Sequence, residues 1–413
     1  MSQVATEKTV EKETVKPTAH FAGMHEQITK ALSIAEFGVP TGAYPSAQRG
    51  VLIETSRNRL TLSTFDFSIA VSVTVPLGTP AAEGCSLLDF AELKGALAAM
   101  VAGETKKVAA RAPVSLAGDL LATEHIALPI TTLDIHEFTH PPVAAPAVVT
   151  VDAQHFLARL TRVLPAAGSD ETLPALTGIQ ITLDGETLTM AATDRYRFAV
   201  AEVPTTPTVR LLEKPMTTLI PASVLALLAK RLKSHEGPIG IGIVEDDDVA
   251  RTTLSMGDTT ITMRPLEGRL PAHKSLFPAE CGLSVQIDRA SAVRAAKKCQ
   301  ALIKAKGVNG APVAFAWGVD GISLAPRIGT ADQARTKGMT IPSSITHGSA
   351  DVMRGHLLAF NPAFLLDALG TFASDALTLH IRRTDGFKPV LLTEGPDMEE
   401  GYRHLLMPVR LAG

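Results

Sequence analysis

The sequence predicts an α+β protein of three similar domains, each made of two halves with the same order of helix and strands. An amphipathic helical stretch followed by alternating strands recurs six times along the chain. Leu60–Leu62 also matches Leu188–Met190, and Asp66 matches Asp194, both at an offset of about 128 residues. With 413 residues, 46% of them hydrophobic, the chain has enough apolar material for several cores.

The first half of each domain begins with an amphipathic helix, which Pro or Gly separates from short alternating strands. The predicted helices are 24–36, 151–168 and 287–307, and the strands lie within 49–73, 176–203 and 311–326. The second halves repeat this order. Their predicted helices are 86–103, 220–237 and 360–375, and their strands lie within 107–118, 237–256 and 376–386.

Composition sets the domain boundaries. A Pro/Ala linker at 139–148 and a Pro/Gly-punctuated crossing at 267–282 separate domains at 21–145, 146–279 and 280–413. Residues 1–20 carry almost nothing large to bury and predict a disordered tail. The polar segment 328–349 lacks clear periodicity, so we expect an extended loop with at most one strand.

Cysteine usage and the N-terminus point to the cytoplasm. Cys85, Cys281 and Cys299 are far apart, odd in number and without metal-ligand spacing, as in a reduced compartment. The N-terminus has no apolar signal region, and the apolar runs are too short to cross a bilayer.

No motif calls for a cofactor or a metal. The histidines between 125 and 140 and the acidic run 245–248 fit surface turns better than metal ligands.

Basic residues are concentrated on helices, although the whole chain has a net charge of −3. Segments 221–234 and 288–306 carry nine basic residues and a single acid, Asp288. Arg159 and Arg162 repeat the pattern at a spacing of three. A locally positive surface on an acidic protein suits a phosphate backbone contacted without sequence preference. A merely solvated helix face is the alternative for any one of these helices.

Asp194, Arg195, Tyr196 and Arg197 follow an alternating run at the point where a strand should end. Such a cluster suits either a catalytic site or the rim of a groove that holds another protein. No general base, phosphate loop or nucleophile pattern accompanies it, which disfavours an enzyme. We expect Asp194 to brace the turn or to pair with a nearby Arg, and Arg197 to orient carbonyls or a carboxylate of a bound partner.

Three segments, 173–200, 267–278 and 402–411, resemble the bacterial DNA polymerase III β subunit, the sliding clamp, in its actinobacterial form. The resemblance covers nearly the whole chain after residue 20. It implies the DNA-clamp fold: a head-to-tail homodimer forming a ring around duplex DNA, with helices lining the hole and sheets outside. It further implies a non-enzymatic processivity factor, located in the cytoplasm at the nucleoid.

The resemblance also implies a groove that binds short linear motifs of the polymerase III α subunit, the clamp loader and repair proteins. Carried over, the groove residues are Leu176, Thr193, Asp194, Tyr196, Arg197, Phe198, Pro271, Leu276, Pro389, Leu406, Met407, Pro408, Val409 and Arg410. The mixture of apolar wall, flexible Met and a few polar groups suits an extended peptide.

Two further sets complete the prediction. The basic residues expected to face DNA are Lys30, Arg159, Arg162, Lys230, Lys233, Arg294, Lys297, Lys298 and Lys304. Apolar candidates for the dimer interface are Ile126, Leu128, Leu302 and Ile303, for which ordinary core is the alternative. Departures from the family pattern, such as Ser275 and the near-neutral helices of domain one, leave open a clamp paralogue that binds partners or escapes an inhibitor without being the main replication clamp.

Overall fold

The computed structural model describes residues 17–208, 214–233, 235–245, 250–318, 321–329, 333, 335–353, 357–382, 388–399 and 401–410. Contacts divide the chain into two compact units. The first unit comprises Met1–Ala145 and Thr253–Arg264, and the second comprises Pro146–Thr252 and Pro265–Gly413. Within the described residues, no helix is both long and apolar enough to cross a membrane.

The α-helices are α1 His25–Ala35, α2 Phe90–Met100, α3 Lys106–Arg111, α4 Ala153–Val163, α5 Ala222–Arg231, α6 His273–Leu276, α7 Arg289–Ala305 and α8 Pro362–Gly370. The strands are β1 His20–Met24, β2 Gly50–Phe65, β3 Ile69–Asp89, β4 Pro113–Ala117, β5 Leu120–Ala122, β6 Ala127–Pro129, β7 Val149–Asp152, β8 Gly178–Asp184, β9 Thr187–Thr193, β10 Arg197–Pro204, β11 Thr206–Pro207, β12 Met216–Pro221, β13 Pro238–Val244, β14 Arg251–Met256, β15 Thr259–Met263, β16 Leu283–Asp288, β17 Val313–Gly318, β18 Gly321–Pro326, β19 Met339–Ile341, β20 Ser343–Gly348, β21 Leu358–Phe360, β22 Ala376–Ile381, β23 Val390–Thr393 and β24 Arg403–Leu406.

The first unit contains a four-stranded antiparallel sheet in the order β1-β4-β5-β6 and a long antiparallel hairpin of β2 and β3. Helix α1 contacts both hairpin strands and buries Ile28 and Leu32. Strand β15, which the sequence placed in domain two, pairs with β3 through the register of Ile261 with Val71. This pairing is why residues Thr253–Arg264 belong to the first unit.

The second unit contains an antiparallel sheet of nine described strands in the order β12-β8-β9-β10-β24-β23-β22-β16-β20. Strands β10 and β24 pair at its centre, with Arg197 opposite Leu406 and Phe198 opposite Leu405. The second and third predicted domains therefore share one sheet and form a single compact unit. The division at 21–145, 146–279 and 280–413 stays a prediction.

Four helices start with the same device. The side chains of Asp89, Asp152 and Asp288 accept a hydrogen bond from the backbone N–H three residues later, at the starts of α2, α4 and α7. Asn361 does the same at α8, with Ala363 and Phe364 as donors. Such caps satisfy N–H groups that have no partner inside the helix. The same type of N-cap thus recurs at α2, α4, α7 and α8, four of the helices in the predicted repeat.

Three local expectations differ from the structure. Residues 107–111, predicted as strand, belong to α3, where Lys106–Arg111 combine good helix formers ahead of Pro113. The predicted loop 328–349 contains both β19 and β20, which pair with β18 and β16. Of the predicted tail, residues 1–16 lie outside the described residues, whereas the backbones of Pro17 and Ala19 bond to Cys85 and Ser86 of β3.

Candidate functional site

The turn between β9 and β10 is held by Asp194. Its Oδ1 accepts hydrogen bonds from the backbone N–H groups of Tyr196, at 3.0 Å, and Arg197, at 3.1 Å. Thr193 closes the turn by donating from Oγ1 to the carbonyl of Arg197 at 2.6 Å. Arg195 at the tip has φ of 79°, a left-handed conformation that is costly for a residue with a side chain. The turn is therefore rigid, and Asp194 has the bracing role expected of it.

Arg197 points inward. Its side chain is only 8% exposed, and its Nε and Nη1 donate to Asp194, at 2.9 Å, and Asp367, at 2.6 Å. The guanidinium also lies 4.6 Å from the ring centre of Phe364. Because its Nε and Nη1 are engaged within the protein, Arg197 ties β10 to α8. Its expected role in orienting a partner carboxylate stays a prediction. A buried arginine fixed in this way makes the wall beneath the turn stiff.

Two aromatic side chains form a stacked pair beside the turn. The ring of Tyr196, which is 52% exposed, lies 5.7 Å from that of Phe364, with an angle of 24° between the planes. The Arg195 guanidinium lies 5.9 Å from the centre of the Tyr196 ring. Phe364 is absent from the sequence prediction. The sequence signal for it was its position in the first turn of a predicted helix, two residues after the Asn361-Pro362 pair.

An apolar cluster lies below the turn. Phe198 and Leu405 face each other across the β10–β24 pair and pack with Leu270 and Phe277, and Leu176 packs against the same cluster. The full buried set is Ala191, Phe198, Val200, Leu219, Leu270, Phe277, Leu391 and Leu405. Leu270, Phe277 and Leu405 were not predicted, although each adjoins a predicted residue, namely Pro271, Leu276 and Leu406. The sequence identified the right segments but not which side chains turn inward.

The end of the chain completes the apolar surface. The Met407 N–H donates to the carbonyl of Tyr196 at 2.8 Å, and the Val409 N–H donates to that of Ala359 at 2.7 Å. Leu276, Met407 and Val409 are exposed, while Leu406 and Pro408 are buried beneath them. The remaining predicted residues adjoin these segments: Pro271 and Arg410 are exposed and Pro389 is half-buried before β23. Exposed apolar side chains on a rigid base suit the capture of an extended peptide.

His273 contributes a neutral polar edge to this surface. Its ring lies 5.7 Å from Phe277 and 6.5 Å from Phe198. Burial, reinforced by the charges of Arg403 and Lys274, lowers the pKa of His273 to about 4. The imidazole is therefore uncharged at neutral pH and behaves as part of the aromatic wall.

The predicted basic residues fall into two groups. Lys230, Lys233, Arg294, Lys297, Lys298 and Lys304 are exposed on or just beyond α5 and α7 of the second unit. Arg162 is not free: it pairs with Glu394 at 3.1 Å and lies 5.6 Å from the Tyr402 ring. Lys30 pairs with Glu26 at 2.7 Å, and Arg159 is half-buried. Among the predicted residues, exposed positive charge thus lies mainly on α5 and α7, whereas Arg162 is engaged by Glu394.

The predicted interface residues also divide. Ile126 and Leu128 are exposed at β6, the last strand of its sheet among the described residues. Leu302 is 54% exposed on α7, whereas Ile303 is only 6% exposed and belongs to the core face of that helix. Adjacent helix positions lie about 100° apart, so one of this pair faces out and the other in. Ile303 therefore fits the core alternative.

Comparison with known proteins identifies relatives of this chain by sequence. A family model for the DNA polymerase III beta subunit, central domain, matches residues 150–272. The beta sliding clamp of Streptomyces coelicolor is 30% identical over 410 residues, which cover 94% of this chain and 98% of that protein. The beta sliding clamp homolog GriR of Streptomyces muensis is 28% identical over 372 residues, covering 87% of this chain and 91% of that relative.

Solved structures show the same fold. The DNA polymerase sliding clamp of Bacillus subtilis superposes with a TM-score of 0.78 at 18% identity, over 96% of this chain and 100% of that one. The Pseudomonas aeruginosa sliding clamp bound to griselimycin gives 0.77 at 17% identity, over 95% and 100%. Taken with the nearly full-length match to the Streptomyces coelicolor protein, these similarities show that the chain belongs to the family of the bacterial beta sliding clamp, the beta subunit of DNA polymerase III.

Proposed function

We propose that this clamp closes as a head-to-tail homodimer around duplex DNA and tethers DNA polymerase III and other replication proteins through the groove beside Tyr196. The observation that carries the proposal is the surface at the β10–β24 joint, where Tyr196, Leu276, Met407 and Val409 are exposed on a rigid base. Such a surface holds short peptides that exchange readily, as a shared tether requires.

Weak DNA contact is sufficient in this mechanism. The exposed lysines of α5 and α7 lie on helices and accompany no base-reading motif, which suits phosphate contacts without sequence preference. A closed ring keeps the polymerase near the primer end by topology, so the local concentration of polymerase is high even when each contact is weak. The role needs no catalytic residue and no cofactor, and it places the protein at the cytoplasmic nucleoid.

The exposed apolar residues of β6 support the dimer. Leu128 lies on β6, the last strand of its sheet among the described residues, and Ile126 directly precedes it. Exposed apolar side chains at a sheet edge are suited to pairing with a second subunit. Leu302 is an exposed apolar candidate from the other predicted face. A head-to-tail interface that closes after two copies gives a ring instead of a filament.

Retention on DNA tests the ring. The protein is loaded by its clamp loader onto nicked circular plasmid, separated from free protein by gel filtration, and the DNA is then cut once. We expect the protein to stay on the circle and to leave the linear product. Equal loss from both forms would exclude topological linkage, whatever the affinity of the groove.

A second role rests on the similarity to GriR and on Arg195. A clamp paralogue could take over partner binding, or escape an inhibitor, without serving as the main replication clamp. In this role the exposed Arg195 and Tyr196, whose guanidinium and ring lie 5.9 Å apart, would determine which peptides or inhibitors the groove accepts. Replacement of the host's own clamp gene decides between the roles: growth on this protein alone supports the main clamp, and failure to grow with normal peptide binding supports the paralogue.

A further inference from the structure

The first unit carries an aromatic patch of Tyr44, Phe65 and Phe67. The Phe67 ring lies 5.4 Å from that of Phe65 and 6.1 Å from that of Tyr44, and the Tyr44 and Phe67 planes differ by only 20°. Tyr44 is 39% and Phe67 44% exposed. Aromatic side chains supply large contact areas when they become buried, so an exposed stacked pair marks a binding surface.

The patch lies on a turn that shares with the Tyr196 turn the two hydrogen bonds accepted by its aspartate. Asp66 Oδ1 accepts from the backbone N–H groups two and three residues ahead, Ser68 at 2.8 Å and Ile69 at 2.6 Å, as Asp194 does in the second unit. The residue after each aspartate is left-handed, with φ of 71° at Phe67 and 79° at Arg195.

The match extends to the aromatic side chains. Each turn carries a ring that stacks on a ring from outside the turn: Phe67 on Tyr44, and Tyr196 on Phe364. The ring stands one residue after the aspartate in the first turn and two residues after it in the second. The same backbone device thus presents a stacked aromatic pair in both units.

The patch is held in place from behind. Gln48 donates from Nε2 to the carbonyl of Phe65 at 2.5 Å, and its Oε1 accepts from the Thr139 N–H at 3.1 Å. Thr64 Oγ1 donates to the carbonyl of Ala35 at 2.5 Å. Gln48 and Thr64 are buried. A surface fixed before binding loses little conformational entropy when a ligand docks.

Two exposed arginines adjoin the segments that form the patch. Arg49, next to Gln48, is exposed and is the one charged residue in the sequence between 39 and 50. Arg264 is also exposed, and its backbone N–H bonds to the carbonyl of Ser68 in the patch turn at 2.8 Å. The carboxylate of Asp66 keeps its charge, but its Oδ1 is directed at the backbone N–H groups of the turn. The two arginines outnumber it, which favours an acidic group on a ligand.

We propose that the aromatic patch is a second docking site, which binds an extended peptide segment of a partner protein with an aromatic or large aliphatic side chain beside an acidic residue. The match to the Tyr196 turn favours a peptide over single-stranded nucleic acid, which would also stack on aromatic rings. The inference rests on the proposed function in one respect, because peptide binding at the patch is argued from the proposed peptide binding at the Tyr196 groove.

Peptide selection tests the proposal on the full-length protein. A displayed library of random dodecapeptides is selected on the Tyr196→Ser variant, in which the groove of the second unit is weakened. We expect peptides that pair an aromatic or large aliphatic residue with an acid. Their affinity should fall about tenfold or more in Tyr44→Ser and in Phe67→Asn, since loss of a central aromatic contact has effects of this size.

Variants separate the patch from the rest of the molecule. Asn tolerates the left-handed conformation, and Tyr44 is exposed, so both variants should melt like the wild type. Arg49→Gln should weaken the binding of acidic peptides several-fold. The difference in affinity from the wild type should become smaller as the salt concentration rises. Met24→Ser, at an exposed apolar residue outside the patch, should leave the affinity unchanged.

Three outcomes are decisive. Peptides that depend on Tyr44 but not on Tyr196 establish the patch. The inference is overturned if selection yields no peptide that depends on Tyr44, or if oligothymidylate alone binds in a Tyr44-dependent way. A parallel selection on the wild type tests the groove, through peptides whose binding is lost in Tyr196→Ser. The patch proposal can therefore be overturned while the proposed function stands, and the proposed function can be overturned while the patch proposal stands.

Discussion

At the scale of single residues, the candidate groove has backbone strain at an exposed position. Arg195 is left-handed at the tip of a turn whose following backbone N–H groups bond to Asp194. Its guanidinium lies 5.9 Å from the centre of the Tyr196 ring. Strain of this kind persists only where the surroundings hold it, and it often marks sites where a side chain must point in a defined direction.

Arg195→Gly should stabilise the second unit relative to Arg195→Ala by about 1 kcal/mol, because glycine adopts the left-handed conformation without steric cost. Both variants remove the charge, so the alanine protein is the matched control. Urea unfolding monitored by circular dichroism measures the difference. Equal midpoints for the two variants would show that the turn carries no strain.

His404 predicts a dependence of stability on pH. It is buried, with Nδ1 hydrogen-bonded to the Tyr402 hydroxyl, and burial followed by the charge of Arg197 lowers its pKa from 6.5 to about 3. The folded protein therefore keeps His404 neutral where the unfolded chain protonates it. This contribution to stability is complete above pH 6.5 and is lost progressively as the pH falls toward 3.

Between pH 7 and pH 5 this one group should cost about 2 kcal/mol of unfolding free energy. His404→Gln retains a side-chain hydrogen-bonding group but does not titrate, so its stability should fall less over the same interval. Unfolding curves at the two pH values give the comparison. An identical decrease in both proteins would assign the acid sensitivity to other groups, among them His273 and His380.

At the scale of secondary-structure elements, the cap of α8 connects folding to the groove. Asn361 accepts from the Ala363 N–H at 2.9 Å and so fixes the turn of helix that carries Phe364. The helix also supplies Asp367, which holds Arg197. A looser start of α8 would therefore disturb both the aromatic pair and the wall beneath it.

Asn361→Ala should destabilise the second unit by about 1 kcal/mol, the usual cost of a lost cap. Asn361→Asp keeps an acceptor at the same position and should retain most of the stability. Thermal melting measures this effect, and titration with a groove-dependent peptide measures the accompanying loss of affinity. Wild-type behaviour of the alanine variant in both assays would contradict the positioning role.

Helix α7 gives a separate prediction for DNA. Lys297 and Lys298 are exposed on it, while Ala295 and Ala296 face the core. The double variant Lys297→Glu/Lys298→Glu should bind nonspecific duplex DNA at least about tenfold more weakly, with a smaller dependence on salt, because each phosphate contact releases counterions. Fluorescence anisotropy across salt concentrations measures both quantities.

Lys106→Glu/Lys107→Glu provides the control for that experiment, because it makes the same change of net charge at exposed lysines on α3 of the first unit. Its DNA affinity should stay near that of the wild type after correction for overall charge. If both variants lose affinity to the same extent, net charge and not α7 governs the interaction.

At the scale of the whole molecule, β6 supports the predicted dimer. Light scattering should give about twice the chain mass of 43.5 kDa. Ile126→Lys/Leu128→Lys should reduce the mass to that of one chain, since charge at an apolar interface is costly to bury. Val143→Lys, at another strongly exposed apolar residue of the first unit, should leave the dimer intact. A monomeric wild type would remove the basis for a ring.

Local chemistry made a large part of this protein predictable from sequence. The α+β class, the repeated helix-then-strand order and the bracing role of Asp194 depend on periodicity and on contacts between residues two or three apart. The segments of the candidate groove also follow from the sequence, through the resemblance of 173–200, 267–278 and 402–411 to the clamp family. Each of these features depends on residues that are close together in the sequence.

Only the tertiary structure decided which side chains lie at the groove and which are buried or paired within the protein. Phe364 and Asp367 reach Tyr196 and Arg197 from about 170 residues away, because β10 and β24 pair and bring α8 beside the turn. Tertiary packing elsewhere in the second unit buries Ile303 and pairs Arg162 with Glu394. Sequence periodicity shows which residues are apolar or charged. It cannot show which distant partner compensates each one, since that depends on strand pairing between residues far apart in the chain.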